Sequence, residues 1–246
     1  MRSLGLIDIY ARLMFLELFR TPAYVVPTVV FPALFFAMFA LPWARTPGLA
    51  DTEMLSFVAI AVIGVTLFQF GVGVAAERAR PWERYLRTLP ANVAIRFAAR
   101  SLCALLFGAL AGACVVVVAR LFSPIDLNGP QWALLALYAV LGGIPFVLFG
   151  ITIGYWSNAR AAVAIANLCY MLLAFAGGLW VPPAFLPAPI TLVSPYLPTR
   201  AFGELLWSIA GAGHASASLV VLAAYTALFT TLAAVGYRRD EQARYV

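Results

Sequence analysis

The sequence predicts an all-α polytopic membrane protein. It reads as six transmembrane helices with an N-terminal amphipathic interfacial helix and a broken extracytoplasmic hairpin between helices 5 and 6. Three observations predict this. Of 246 residues, 64% are hydrophobic and only 11% charged, roughly half the charged share of a soluble domain. The apolar residues fall into six runs long enough to cross hydrocarbon. Between the fifth and sixth runs, prolines crowd a stretch that is apolar but cannot be one helix. Nothing left over could form a soluble domain, so residues 1–246 read as a single transmembrane domain.

Residues 2–20 form the interfacial helix. Leu4, Ile7, Ala11, Met14, Phe15 and Leu18 share one helical face. Asp8 and Arg12 pair at i,i+4, and Arg2, Arg12 and Arg20 suit anionic headgroups. The first span covers about Ala23 to Trp43. Pro27 and Pro32 within it predict a kink, which membrane helices tolerate when neighbours satisfy the freed backbone groups. A loop from Ala44 to Met54 carries Arg45, Asp51 and Glu53. The second span, Leu55 to Ala76, holds Gly64, Gly71, Gly73 and one amide, Gln69. The third, Ser101 to Leu121, and the fourth, Trp132 to Trp156, each contain a G-x-x-x-G pair, Gly108/Gly112 and Gly150/Gly154, a helix-packing signal. The fifth, Ala161 to Val181, holds Asn167.

Residues 182–214 then change character. Pro182, Pro183, Pro187, Pro189, Pro195 and Pro198 deny them a continuous helix. Thr199 is placed to cap a short helix with Phe202, Leu205, Leu206 and Ile209 on one face and an Arg200–Glu204 pair. The segment reads as a re-entrant or interfacial hairpin capping the bundle. The sixth span, Ser216 to Tyr237, leads into a polar tail.

The longest polar stretch is residues 77–100, ERARPWERYLRTLPANVAIRFAAR, with six arginines. Such a charge density leaves the hydrocarbon. Trp82, Tyr85, Leu86 and Leu89 recur at i, i+3, i+4 and i+7, one apolar stripe on a short helix. Pro81 suits its first turn and Pro90 ends it. Glu83 and Arg87 pair on the wet side. A helix this short is unstable alone. Its stripe therefore rests against lipid headgroups or receives a soluble partner.

Several chemistries are excluded or unsupported. All sixteen basic residues are arginine, so no lysine-containing phosphate loop exists and ATP hydrolysis by that route is closed. Cys103, Cys114 and Cys169 sit in apolar runs without metal spacing. His214, the single histidine, reads as a surface loop residue. No acid is placed at mid-membrane depth, where ion-coupled carriers keep one. The net charge of +6 follows from topology and does not argue for nucleic acid. Gln69 and Asn167 are the amides well inside spans. They serve helix–helix hydrogen bonding or line a substrate path.

In this order of elements the chain resembles the ABC-2 type transporter permeases, the membrane subunits of ATP-binding-cassette exporters. Two stretches carry the resemblance: ERARPWERYLRTLP after the second span, and LPAPITLVSPYLPTRAFGELLW, residues 186–207, before the sixth. The chain departs from the family's loop where Arg80, Pro81 and Trp82 replace the usual Gly-Thr before the second Glu. The resemblance implies a permease that exports a drug, lipid or other amphipathic molecule and is not itself an enzyme. It implies no catalytic residue and no cofactor in this chain, with ATP and Mg bound by a separate ATPase subunit. The docking site for that subunit would be the coupling helix: Glu77, Trp82, Glu83, Arg84, Tyr85, Leu86, Arg87 and Leu89. The partners implied are that subunit, a second permease as homodimer or close heterodimer, and the bilayer of a bacterial cytoplasmic membrane. The alternatives are an ion-coupled secondary carrier and a non-transporting membrane assembly protein.

With both termini inside, thirteen of the sixteen arginines lie in cytoplasmic segments, and Arg45, Arg120 and Arg200 lie outside. The positive-inside rule therefore puts both termini in the cytoplasm. Reporter fusions at Val246 are expected to be active only with a cytoplasm-responsive reporter; activity of a periplasm-responsive one would reverse the topology.

Overall fold

In the computed structural model, which describes residues 2–79 and 93–242, every regular element among those residues is helical. The order is α1 (Arg2–Phe19), α2 (Pro22–Ala40), α3 (Pro47–Ala79), α4 (Val93–Phe122), α5 (Gly129–Trp156), α6 (Ala159–Ala176), α7 (Ala188–Val193), α8 (Pro198–Trp207) and α9 (Ala215–Gln242). Six of them, α2 to α6 and α9, are long and apolar enough to cross a membrane.

The bundle is built around α3. Its most apolar window is 78% buried, against 39% or less in every other span. A helix apolar on all sides must be surrounded by other helices or lipid, and here it is surrounded by helices. Phe57, Ile60, Ile63 and Leu67 on it are fully buried. The helix begins earlier than predicted, at Pro47, where Thr46 is extended and the proline's missing N–H costs nothing. Asp51 and Glu53 are thus not loop residues but buried helical ones. Asp51 turns toward the protein, its Oδ1 accepting from the Asp126 N–H at 3.1 Å.

Prolines reshape α2 without breaking it. Its backbone widens into π turns at Val26–Val30 and Phe36–Ala40, the expected response where Pro27 and Pro32 donate no backbone bond. Inside α3 a third π turn, Leu67–Val72, has no proline.

The two G-x-x-x-G pairs behave differently. On α5, a Cβ at Gly150 would come within 3.0 Å of Phe70 and the Thr66 carbonyl, and one at Gly154 within 2.8 Å of Val74. These glycines let α5 lie against the backbone of α3. On α4, Gly108 has open space beside it and Gly112 only Val58 at 3.6 Å.

α1 packs on α4 through the predicted face. Ala11 is buried, and Met14, Phe15 and Leu18 lean on a cluster including Val65, Phe70 and Phe107. The Phe15 and Phe107 rings meet tilted, with centres 4.9 Å apart. The opposite face is also apolar: Leu6, Ile9, Leu13 and Leu16 are exposed, in keeping with a helix between protein and lipid.

The hairpin closes one end. α6 stops at Ala176, short of the predicted Val181, because Gly177 caps it and Gly178 turns left-handed at φ 78°. α8 then buries Phe202, Leu205 and Leu206 completely. Thr199 is not its cap: Leu197 holds that position and Pro198 the first turn. The Thr199 hydroxyl instead donates to the Leu173 carbonyl on α6 at 2.6 Å. Trp207 Nε1 donates to Ser56 Oγ on α3 at 2.8 Å, and Gln131 Nε2 reaches the Ile209 carbonyl at 2.7 Å. α8 is about 15 Å long, so it covers the bundle and does not cross it.

The ring of Phe202 fills the space that a Cβ on Gly142 would need. Gly142→Ala is expected to cost about 1–3 kcal/mol by overpacking, whereas Gly108→Ala should stay within about 0.5 kcal/mol. Thermal melting of the purified variants in detergent checks this; equal melting temperatures would show that α8 does not seat against α5.

Candidate functional site

The end of α3 opposite the hairpin carries two adjacent charges, Glu77 and Arg78. Successive side chains on a helix diverge by about 100°, so these two reach different neighbours. Glu77 pairs with Arg100 on α4. Arg78 reaches the other way. Its Nε donates to Asp240 Oδ1 on α9 at 3.0 Å, and its Nη1 to the carbonyls of Gly154 at 2.5 Å and Ser157 at 3.3 Å. Its guanidinium also lies 5.3 Å from the Tyr155 ring centre. Those carbonyls terminate α5, where a cation is favoured by the helix dipole.

Arg100 is a correction to the sequence reading, which placed it in the loop of residues 77–100. It is a helical residue of α4, 5% exposed. A buried charge needs a partner and satisfied donors, and α3 supplies both. Beside the Glu77 pair, Arg100 Nη1 donates to the Gln69 carbonyl at 2.9 Å, within the π turn of α3. Gly73 makes the approach possible, since a Cβ there would lie 2.6 Å from Nη1.

Gln69 is buried. Its Oε1 accepts from the Tyr24 hydroxyl on α2 at 2.8 Å, and its Nε2 faces Met14 Sδ on α1 at 3.6 Å. Thus α1, α2, α3 and α4 meet around it. Asn167 is exposed on α6 and donates to the Val163 carbonyl of its own helix at 3.0 Å. The structure does not bring the two amides together. The predicted docking residues Trp82, Glu83, Arg84, Tyr85, Leu86, Arg87 and Leu89 lie outside the described residues. Glu77 is the predicted docking residue that falls within them.

The arrangement is a junction. Residues 77 and 78 open the arginine-rich stretch. Through charge-assisted bonds they tie the end of α3 to α4 on one side and to α5 and α9 on the other. Sequence reasoning missed Arg78, Arg100 and Asp240 as a group: the two arginines read as loop charges, and Asp240 is 162 residues from Arg78. The available signal was Arg100 abutting an apolar run. At the opposite end Glu53 is buried on α3, and Arg200 pairs with Glu204 at 2.6 Å, as the i,i+4 spacing predicted. His214 is exposed, 3.4 Å from Glu204 Oε2.

Residues 7–210 match the family model described as ABC-2 type transporter. A relative from Bacillus subtilis (strain 168), named "Putative transport permease YvfS", is 25% identical over 227 residues, covering 90% of this chain and 93% of its own. No solved structure matches.

Removing the charge at Arg100 deprives the Gln69 carbonyl of its donor and breaks the Glu77 pair. Arg100→Met should therefore destabilise by about 3 kcal/mol, and Tyr24→Phe, which loses one neutral hydrogen bond, by about 1 kcal/mol. The larger fall in melting temperature is expected for Arg100→Met; the reverse order would move the anchor to the Gln69 side chain.

Proposed function

Since the chain belongs to the ABC-2 type transporter family and is a permease subunit of such a transporter, we propose that it exports an amphipathic molecule, a drug or a lipid, with energy from a separate ATPase subunit. That subunit binds ATP and Mg, and it docks on the helix Trp82–Leu89. The observation that carries this reading is the segment ERARPWERYLRTLP itself. It offers one apolar stripe flanked by charge, directly after the clasped end of α3. Both termini and this segment face the cytoplasm of a bacterium, in keeping with the arginine distribution.

The cargo runs between two permease copies and not through one. Large side chains of α3 fill the middle of a single chain. α6, by contrast, is peripheral, with Leu168, Met171 and Leu172 exposed around Asn167. An amide facing lipid is unfavourable, and a second permease gives it a polar partner. An apolar surface with a single amide suits amphipathic cargo better than a charged one.

Leu86→Arg should disconnect the permease from its ATPase while leaving it inserted. Losing a buried leucine costs roughly 1.5–3 kcal/mol, and an unpaired charge in the contact adds to it. A total of about 3–5 kcal/mol lowers affinity by a factor on the order of hundreds to thousands. Arg84→Ala, on the polar side, should mainly alter association rate and salt sensitivity. Pull-down of the ATPase subunit alongside membrane expression measures both. Retention of the ATPase by Leu86→Arg would mean that the stripe rests on lipid.

A further inference from the structure

α9 is 28 residues long, about 42 Å, and so outruns a hydrocarbon core of roughly 30 Å. Its last turns lie beside the end of α5, and a set of side chains holds them there. Trp156 Nε1 donates to the Leu232 carbonyl at 3.0 Å, and Gly236 leaves room for that indole. Arg239 lies 4.8 Å from the Trp156 ring centre, and Tyr155 meets Tyr237 edge-on at 5.6 Å. Those contacts join α9 to α5 alone. Asp240 does something different: it joins α9 to α3, through Arg78.

The Asp240 carboxylate is 7% exposed and the Arg78 side chain 19%, although Asp240 stands near the end of the chain. Charged residues at a helix terminus ordinarily face water, and desolvating both is costly unless the geometry repays it. Here the guanidinium is satisfied on several sides at once, by Asp240, by two carbonyls ending α5 and by the Tyr155 ring. The residue before it, Glu77, is tied to α4 through Arg100. One helical turn of α3 therefore fastens three other spans, immediately before the segment that docks the ATPase.

We propose that Asp240 is a positioning residue for energy transfer: through Arg78 it couples the last span to the root of the docking segment, so that α9 and α4 follow that segment as one body. The inference rests on the docking reading above. Without Asp240, α4 still follows through Glu77–Arg100, while α9 keeps its packing on α5 and α8 but loses this tie to α3.

The test uses the full chain in complex with its ATPase subunit. Cys103, Cys114 and Cys169 are changed to alanine. Spin labels at Ala98→Cys on α4 and Arg238→Cys on α9, both exposed sites, report separation by pulsed electron spin resonance, with labelled chains diluted by unlabelled ones. In the parent, the separation is expected to be the same without nucleotide and with ATP plus vanadate. In Asp240→Ala it should shift between the two states by about 2 Å or more, the scale of helix displacements in such transitions. Asp240→Glu should restore the constant separation. A parent separation that itself shifts, or an Asp240→Ala variant as constant as the parent, overturns the proposal. So does loss of Asp240→Ala from the membrane, which would make the pair a folding contact. If the parent does not retain the ATPase subunit at all, the docking reading falls and this proposal with it. Retention with unchanged separations sinks the role of Asp240 alone.

Discussion

A guanidinium inside a helical bundle cannot stand alone, and much of this structure follows from housing one. Arg100 lies in α4 and is buried against protein, so its donors must be met from within. α3 meets them with the Glu77 carboxylate and the Gln69 carbonyl. That requirement places α4 against α3 in one register. It also requires Gly73, because a side chain there would occupy the space of the arginine. The widened π turn of Leu67–Val72 falls at the same place, consistent with the tendency of such turns to mark functional positions.

From this register the remaining contacts follow. Gln69 faces Tyr24 and Met14, so α1 and α2 close over α3 and α4. On the other side of α3, Gly150 and Gly154 bring α5 to backbone distance. The carbonyls at the end of α5 then lie within reach of Arg78. In hydrocarbon, apolar burial gives helices little reason to associate, since lipid is as apolar as leucine. Close packing at small residues and a few fully satisfied polar junctions carry the specificity instead. The two ends of the molecule divide that work. At one end α8 seals the bundle with Phe202, Leu205 and Leu206. At the other, charges fasten α4, α5 and α9 to the last turn of α3.

The number and kind of elements were legible in the sequence. Six apolar runs separated by arginine-rich or proline-rich stretches gave six spans, because chain length across hydrocarbon is set by a rise of about 1.5 Å per residue. The face of α1 that packs on α4 could be read from helical spacing, as could the Arg200–Glu204 pair and the buried face of α8, since these are local periodicities. The family resemblance resting on the arginine-rich segment was legible too, and the family match agrees with it.

What only the tertiary structure decided was which residues count as buried. Two identical G-x-x-x-G spacings gave one close contact, at Gly150 and Gly154, and one open groove, at Gly108; spacing records a small residue but not what stands opposite. Asp51, Glu53 and Arg100 read as loop charges because charge is expelled from lipid, yet each lies on a helix and faces protein. The Arg78–Asp240 junction joins residues far apart in sequence, and no local pattern encodes it. Hydrophobic periodicity along one chain determines that a helix forms and how long it is. Its partners are chosen by shape and polar satisfaction between helices, which depend on three-dimensional register.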